Sequence, residues 1–153
     1  MVEIGQIAPD FTLEASNNQT ISLANLRGKN IVLYFYPKDM TPGCTTEACD
    51  FRDYHPEFGN LNTVVLGISP DDVKSHDRFV SKHELPFTLL ADPDHKVAEA
   101  YGVWVLKKMY GREYMGIERT TFVIDAEGKI ARIWNKVKVK GHVQEVLEFV
   151  KQL

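Results

Sequence analysis

Residues 31–49 read IVLYFYPKDMTPGCTTEAC, and this stretch determines how the chain is expected to fold. Its first six residues form an apolar, β-prone run that ends before a short polar segment. Thr41 then precedes Pro42. This pair is typical of a helix start, because threonine can cap the first N–H groups and proline suits the first helical position. The stretch therefore predicts a buried strand followed by a helix.

The same order of apolar run, capping residue and proline occurs twice more along the chain. These copies are residues 64–68 before Ser69 and Pro70, and residues 87–91 before Asp92 and Pro93. Each copy predicts a strand and a helix that begins at the proline. Strands that alternate with helices favour a sheet covered on both faces.

Two predicted hairpins flank these three units. Residues 11–13 and 20–23 surround a turn at residues 16–18, and residues 121–124 and 130–134 surround a turn at residues 125–128. The C-terminal segment has apolar residues at three- and four-residue spacing, which predicts an amphipathic helix packed on the sheet. These apolar residues are Val143, Val146, Leu147, Val150 and Leu153. We expect a single three-layer α/β/α domain over residues 1–153.

Two lysine-containing segments have simpler interpretations. Lys136, Lys138 and Lys140 alternate with valines, which predicts an edge strand protected by charges. Residues 107–114 predict a solvated loop, with a partner-docking loop as the alternative.

Composition excludes several classes of function. The chain has 153 residues with 18 Lys+Arg against 21 Asp+Glu, a net charge of −3, so it has no basic surplus to neutralise a nucleic-acid backbone. Its longest strictly apolar or aromatic run, residues 31–36, is far shorter than the roughly 20 residues of a membrane span. Residues 1–6 lack an apolar signal region, so the chain is either cytoplasmic or already processed, and we expect a cytoplasmic protein. Two cysteines are too few for a disulfide scaffold, which favours a chemical role for them.

Cys44 is placed as a reactive thiol. If Thr41 caps the helix, Cys44 is its third residue and faces unpaired backbone N–H groups and the positive end of the helix dipole. Both features favour the thiolate. The alternative is a small buried hydrophobic residue, as most free cysteines are, but a Thr-Pro-Gly turn at the helix start favours the reactive thiol.

Cys49 lies five residues further along the same predicted helix. This spacing places it about 140° around the helix and about 7.5 Å along its axis, so the two Cα atoms are roughly 8 to 9 Å apart. A disulfide tolerates at most ~7 Å without backbone movement. A Cys44–Cys49 disulfide would therefore require local unwinding. The alternative for Cys49 is a core residue without chemistry.

The motif Pro37-x-x-x-Thr41-x-x-Cys44, with Cys49 five positions later, resembles the active-site motif of peroxiredoxins, in particular the peroxiredoxin Q, or bacterioferritin comigratory protein, branch. Further motifs follow in the family's order over nearly the whole chain. They are residues 5–11 (GQIAPDF), 34–39 (YFYPKD), 51–53 (FRD) and 119–125 (RTTFVID). The resemblance implies a thioredoxin-like fold with an extra N-terminal hairpin, in agreement with the elements predicted above.

The resemblance also implies a role for each residue of the motif. Cys44 would be the peroxidatic cysteine and Cys49 the resolving cysteine. Thr41 would contact the peroxide through its hydroxyl group, Pro37 would shield the thiolate, and Arg119 would reach the site from the start of a neighbouring strand.

Two further residues would support this site. The backbone N–H of Gly43 would help to stabilise the transition state together with the N–H of Cys44. Glu47, one helical turn after Cys44, would orient Arg119.

The implied activity is that of a thioredoxin-dependent peroxidase with a role in antioxidant defence. It would reduce hydrogen peroxide and organic hydroperoxides to water and alcohols, without a metal or other cofactor. Cys44 would become a sulfenic acid, Cys49 would convert it to a disulfide, and thioredoxin or a similar dithiol would restore both thiols. The branch implies a monomer or weak dimer, and we expect the monomer.

Two other functions fit the sequence less well. A thioredoxin-type disulfide oxidoreductase would share the fold, but its cysteines are spaced Cys-x-x-Cys, whereas this chain has Cys-x-x-x-x-Cys. A metal-binding module could use Cys44, Cys49 and His55. Zinc sites, however, usually pair ligands two to four residues apart and need four of them.

Overall fold

A computed structural model of the chain describes residues 2–153. The strands are β1 (Thr12–Ala15), β2 (Gln19–Ser22), β3 (Asn30–Phe35), β4 (Thr63–Ser69), β5 (Thr88–Ala91), β6 (Trp104–Met109), β7 (Arg112–Ile117), β8 (Thr120–Ile124) and β9 (Ile130–Trp134). The helices are α1 (Pro42–Asn60), α2 (Val73–His83), α3 (Lys96–Ala100) and α4 (His142–Val150), with a 3-10 turn at Leu23–Leu26. Seven strands form one sheet in the order β2-β1-β5-β4-β3-β8-β9, and β6 pairs with β7 alone.

Strand β3 is the centre of the sheet and supplies both faces of the core. It runs parallel to β4 and antiparallel to β8. Ile31, Leu33 and Phe35 face one cluster, which includes residues of α3, whereas Val32 and Tyr34 face a second cluster, which includes residues of α1, α2 and α4. The predicted three-layer α/β/α, thioredoxin-like arrangement is therefore confirmed.

The first predicted strand–helix unit is confirmed, but the second helix starts later than predicted. Helix α1 begins at Pro42, directly after Thr41. Helix α2 begins at Val73, so the prediction of a start at Pro70 is wrong. Its N-cap is Asp72, whose side chain accepts a hydrogen bond from the N–H of Ser75 at 2.8 Å. Pro70 lies instead in the loop that leads to this cap.

The third helix also begins beyond its predicted start. Helix α3 begins at Lys96, so the prediction of a start at Pro93 is wrong as well. Asp92 still stabilises the helix start, because its carboxylate accepts hydrogen bonds from the N–H groups of Val97 and Ala98 at 3.2 and 2.9 Å. The prediction of Asp92 as the N-cap is therefore wrong, since His95 holds that position, but the Asp92 side chain still reaches the helix start across a short turn.

The hairpins and the C-terminal helix agree with the sequence. Strands β1 and β2 pair around residues 16–18, and β8 pairs with β9. Four of the five apolar residues predicted for the C-terminal helix are buried in α4. Leu153 is the exception, since it lies beyond the helix and is 52% exposed. Within residues 2–153, no helix combines the length and apolar character needed to cross a membrane.

Two segments differ from their predictions. Residues 107–114 form most of the β6–β7 hairpin and not a loop; its turn uses Tyr110 and Gly111, both with positive φ, as tight hairpin turns require. Residues 136–140 form no strand. Their segment is a loop between β9 and α4 that is held to the site by a hydrogen bond from the N–H of Val137 to the carbonyl of Arg119 at 3.0 Å.

Candidate active site

Cys44 occupies the position predicted for it, the third residue of α1. Its side chain is only 1% exposed and packs in the core cluster that lies under α1. The Nη2 group of Arg119 donates a hydrogen bond to the Cys44 sulfur at 3.2 Å. A guanidinium beside a sulfur at a helix start is the kind of electropositive environment that favours a thiolate.

Arg119 reaches this position because of the sheet. It directly precedes β8, whose first residue, Thr120, pairs with Phe35 at the end of β3. The other arm of the guanidinium, Nη1, donates to Glu47 Oε1 at 2.6 Å. Cys44 and Glu47 are three residues apart and share one face of α1. The guanidinium therefore bridges the thiol and the carboxylate, and the contact predicted between Glu47 and Arg119 is present.

Glu47 is an unusual carboxyl group because it is fully buried. Its Oε1 atom contacts Arg119, whereas its Oε2 atom has no hydrogen-bond partner within residues 2–153. Burial raises the pKa of Glu47 to about 7, although the charge of Arg119 opposes the shift. Desolvation thus outweighs the attraction between the two charges. The carboxyl group titrates near neutral pH.

Gly43 lies close to the guanidinium in the first turn of α1. A Cβ atom at this position would lie 3.4 Å from Arg119 Nη2. Pro37 lies half-buried in the loop between β3 and α1. The structure therefore brings Gly43 and Arg119 together and keeps Pro37 in the segment that leads to Cys44.

Thr41 differs from the prediction in one respect. It occupies the N-cap position of α1, but its side chain makes no capping hydrogen bond. Instead, the hydroxyl group donates to the carbonyl oxygen of Lys38 at 2.8 Å. The expected cap by the Thr41 side chain is therefore wrong, because the hydroxyl group is used to close the turn before the helix.

Cys49 lies on the same helix as Cys44 and is half-buried. Both cysteines are free, and α1 is continuous from Pro42 to Asn60. The prediction that the two thiols are held apart on one intact helix is confirmed. The Cys49 sulfur lies 3.9 Å from Nδ1 of His83 at the end of α2.

A buried polar network anchors the loop before Cys44, and sequence analysis assigned no role to its members. Asp39 Oδ1 accepts a hydrogen bond from the Tyr36 hydroxyl at 2.5 Å, and its Oδ2 lies 2.7 Å from Nδ1 of His76. Nε2 of His76 lies 2.9 Å from the carbonyl oxygen of Leu90. Both ring nitrogens of His76 thus lie within hydrogen-bond distance of oxygen atoms, one on the loop before α1 and one on β5.

The network also includes Asp71, which accepts a hydrogen bond from the N–H of Asp39 at 2.7 Å. Asp39, Asp71 and His76 could offer ligand atoms to a metal ion, since these atoms lie within 4.8 Å of one another. The side-chain atoms of Asp39 and His76 already have protein hydrogen-bond partners. We therefore interpret the group as an anchor that ties the loop at residues 37–41 to α2.

Comparison with known proteins identifies the family. A sequence model of the AhpC/TSA family matches residues 4–133. Peroxiredoxin Bcp of Bacillus subtilis is 58% identical over 152 residues, which cover 99% of this chain and 97% of that protein. Peroxiredoxin Bcp of Escherichia coli is 42% identical over 151 residues, with 99% and 97% coverage.

Solved structures agree with this assignment. The bacterioferritin comigratory protein of Xanthomonas campestris, studied for alkyl peroxide reduction, matches with a TM-score of 0.91 and 42% identity, covering 99% of this chain and 96% of that chain. A cysteine mutant of peroxiredoxin Q from Xylella fastidiosa matches with a TM-score of 0.93 and 39% identity, with 99% and 97% coverage. The chain therefore belongs to the AhpC/TSA family, in its peroxiredoxin Q, or Bcp, branch.

Proposed function

We propose that this chain is a thiol-dependent peroxidase in which Cys44 attacks the peroxide. The main support is the position of the Cys44 sulfur, which lies in the first turn of α1 and 3.2 Å from Nη2 of Arg119. This arrangement favours a thiolate and places a fixed cation beside it. Its substrates are hydrogen peroxide and organic hydroperoxides.

In the first step the Cys44 thiolate attacks one peroxide oxygen and the O–O bond breaks. Cys44 becomes a sulfenic acid, and the second oxygen leaves as water or an alcohol after it takes up a proton. A more acidic thiol is also a weaker nucleophile, so thiolate formation alone gives little acceleration. The rate must come from groups that stabilise charge on the separating oxygens.

Four groups are suited to this task. They are the guanidinium of Arg119, the N–H groups of Gly43 and Cys44, and the hydroxyl group of Thr41, which must turn from the carbonyl oxygen of Lys38 to donate to the peroxide. Glu47 positions the guanidinium, and Pro37 shields the thiolate from solvent. Because the guanidinium and the two N–H groups are held in place before the peroxide binds, they cost no reorganisation during the reaction.

In the second step Cys49 attacks the sulfenic sulfur, a disulfide forms and water leaves. The first turns of α1 must unwind for this step, because both thiols lie on one intact helix. A dithiol reductant then restores both cysteines, and we propose thioredoxin as that reductant. Both cysteines belong to one chain, so a monomer in the cytoplasm can complete the cycle without a cofactor.

A coupled peroxidase assay with thioredoxin tests this function. We expect Cys44→Ser to lose peroxide consumption entirely. Cys49→Ser should keep the first turnover and lose recycling by thioredoxin, because the sulfenic acid still forms but no disulfide follows. Peroxide consumption by Cys44→Ser at the wild-type rate would overturn the proposal.

A further inference from the structure

The surroundings of Cys49 contain two basic groups that the proposed cycle does not use. His83 lies on α2 and places its Nδ1 atom 3.9 Å from the Cys49 sulfur, within reach of a weak S–H···N hydrogen bond. Arg52, three residues after Cys49 on α1, donates from Nη1 to the carbonyl oxygen of His83 at 2.9 Å. The Cys49 thiol therefore lies next to an imidazole, and Arg52 holds the main chain of that histidine in place.

His83 is held in place at the end of its helix. It lies in the last turn of α2. Its ring packs edge-on against Phe79 at 5.4 Å between centroids, which fixes the ring orientation. Glu84 follows as the C-cap of α2 and adds a carboxylate nearby. The other charged groups close to His83 are Arg52 and its ion-pair partner Asp53.

We propose that His83 is a catalytic residue of the resolving step and accepts the proton of the Cys49 thiol. The inference rests on the proposed function, because it assumes that Cys49 attacks the Cys44 sulfenic acid. The Cys49 proton moves to Nδ1 of His83, and the thiolate electron pair forms the S–S bond. The S–O bond of Cys44 breaks, and its hydroxide leaves as water with a proton from the imidazolium or solvent. Cys49 is oxidised and the sulfenic sulfur is reduced.

The two cysteines thus differ in the group that faces the sulfur atom. Cys44 faces the guanidinium of Arg119, which stays charged and cannot accept a proton. Cys49 faces an imidazole, which can. Since unwinding of α1 would carry Cys49 away from α2, proton transfer to His83 belongs to the folded state, before the helix opens.

Alkylation of Cys49 tests the assignment without any peroxide. In Cys44→Ser, Cys49 is the sole thiol, and its reaction with iodoacetamide at pH 7 can be followed by intact mass. We expect the added change His83→Gln to slow alkylation roughly tenfold, because an unassisted thiol is only a few per cent ionised at this pH. The matched control is His55→Gln, a histidine on α1 that packs against Phe87 and should leave the rate unchanged.

Equal alkylation rates with and without His83, in variants with matching circular dichroism, would overturn the proposal. A second variant, His83→Ala, separates chemistry from packing: free imidazole should restore part of its alkylation rate. If His83→Ala is folded and slow but free imidazole does not accelerate its alkylation, His83 has a structural role. That result would also overturn the proposal.

Rapid mixing with hydrogen peroxide then tests the step in the protein with both cysteines. His83→Gln should leave the rate of Cys44 oxidation unchanged and slow disulfide formation by a factor similar to that seen in alkylation. Equal slowing of both steps would contradict a specific role in resolution. If wild type forms no disulfide although alkylation of Cys49 in Cys44→Ser depends on His83, the proposed function is wrong, whereas the contact between His83 and Cys49 is confirmed.

Discussion

Replacement of Glu47 by glutamine should make the protein more tolerant of high pH and slower as a peroxidase. The carboxyl group is fully buried, and burial raises its pKa from 4.5 to about 7 despite the neighbouring Arg119. Between these two values the native state binds more protons than the unfolded chain. Wild-type stability must therefore fall as pH rises through this window, since ionisation of Glu47 is easier in the unfolded chain.

The magnitude follows from the two pKa values. With 4.5 in the unfolded chain and about 7 in the native state, Glu47 lowers the free energy of unfolding by about 2.5 kcal/mol between pH 5 and pH 8. Glutamine has no titratable proton, so the variant should lack this loss. It should also reduce peroxide roughly tenfold more slowly, because a neutral amide holds the Arg119 guanidinium less firmly beside Cys44.

Urea unfolding of both reduced proteins at pH 5 and pH 8 measures how the free energy of unfolding changes with pH. Stopped-flow peroxide reduction measures the rate of the peroxidase reaction. Comparison of the two proteins cancels every other titrating group that the substitution leaves undisturbed. If wild type and Glu47→Gln lose the same stability between these pH values, Glu47 does not carry a raised pKa. The conclusion that desolvation of Glu47 outweighs its attraction to Arg119 would then be wrong.

Three further changes have defined outcomes. Arg119→Lys keeps the charge but loses the two-armed contact with Cys44 and Glu47, and we expect stopped-flow peroxide reduction to slow roughly 10- to 100-fold; an unchanged rate would contradict the bridging role. His76→Leu removes the buried imidazole from Asp39, which keeps the hydrogen bonds from Tyr36 and Ser75, and should lower the free energy of unfolding in urea by about 1 to 3 kcal/mol; an unchanged free energy of unfolding would argue against the anchor. Burial lowers the pKa of His142 from 6.5 to about 4, so the free energy of unfolding of wild type should fall by about 3 kcal/mol as pH falls from 7 to 4, and that of His142→Gln should not. Parallel pH curves would refute the burial of a neutral His142.

Local signals were sufficient for the centre of the fold. The pair Thr41-Pro42 located the start of α1 and thereby placed Cys44 in its first turn. The other two helix starts were missed because a proline after a strand can also belong to a loop, as Pro70 and Pro93 do. The β6–β7 hairpin was missed because most of its side chains are exposed or only partly buried, so its strands lack an apolar alternation.

The site was harder to predict because its contacts join distant segments. Arg119 lies 75 residues from Cys44, and only the family resemblance pointed to it. No such help existed for His76, which lies 37 residues from Asp39, or for His83 on α2. These contacts depend on how α2 packs beside α1, and short-range spacing carries no information about that packing.

The most direct test of the catalytic cycle is the intact mass of fully reduced, metal-free protein within seconds of one equivalent of hydrogen peroxide. We predict a loss of about 2 Da for wild type, as a disulfide forms between Cys44 and Cys49, and a gain of about 16 or 32 Da for Cys49→Ser, as Cys44 oxidation stops at the sulfenic or sulfinic acid. An unchanged wild-type mass with the peroxide still present would contradict the assignment of Cys44 as the peroxidatic cysteine.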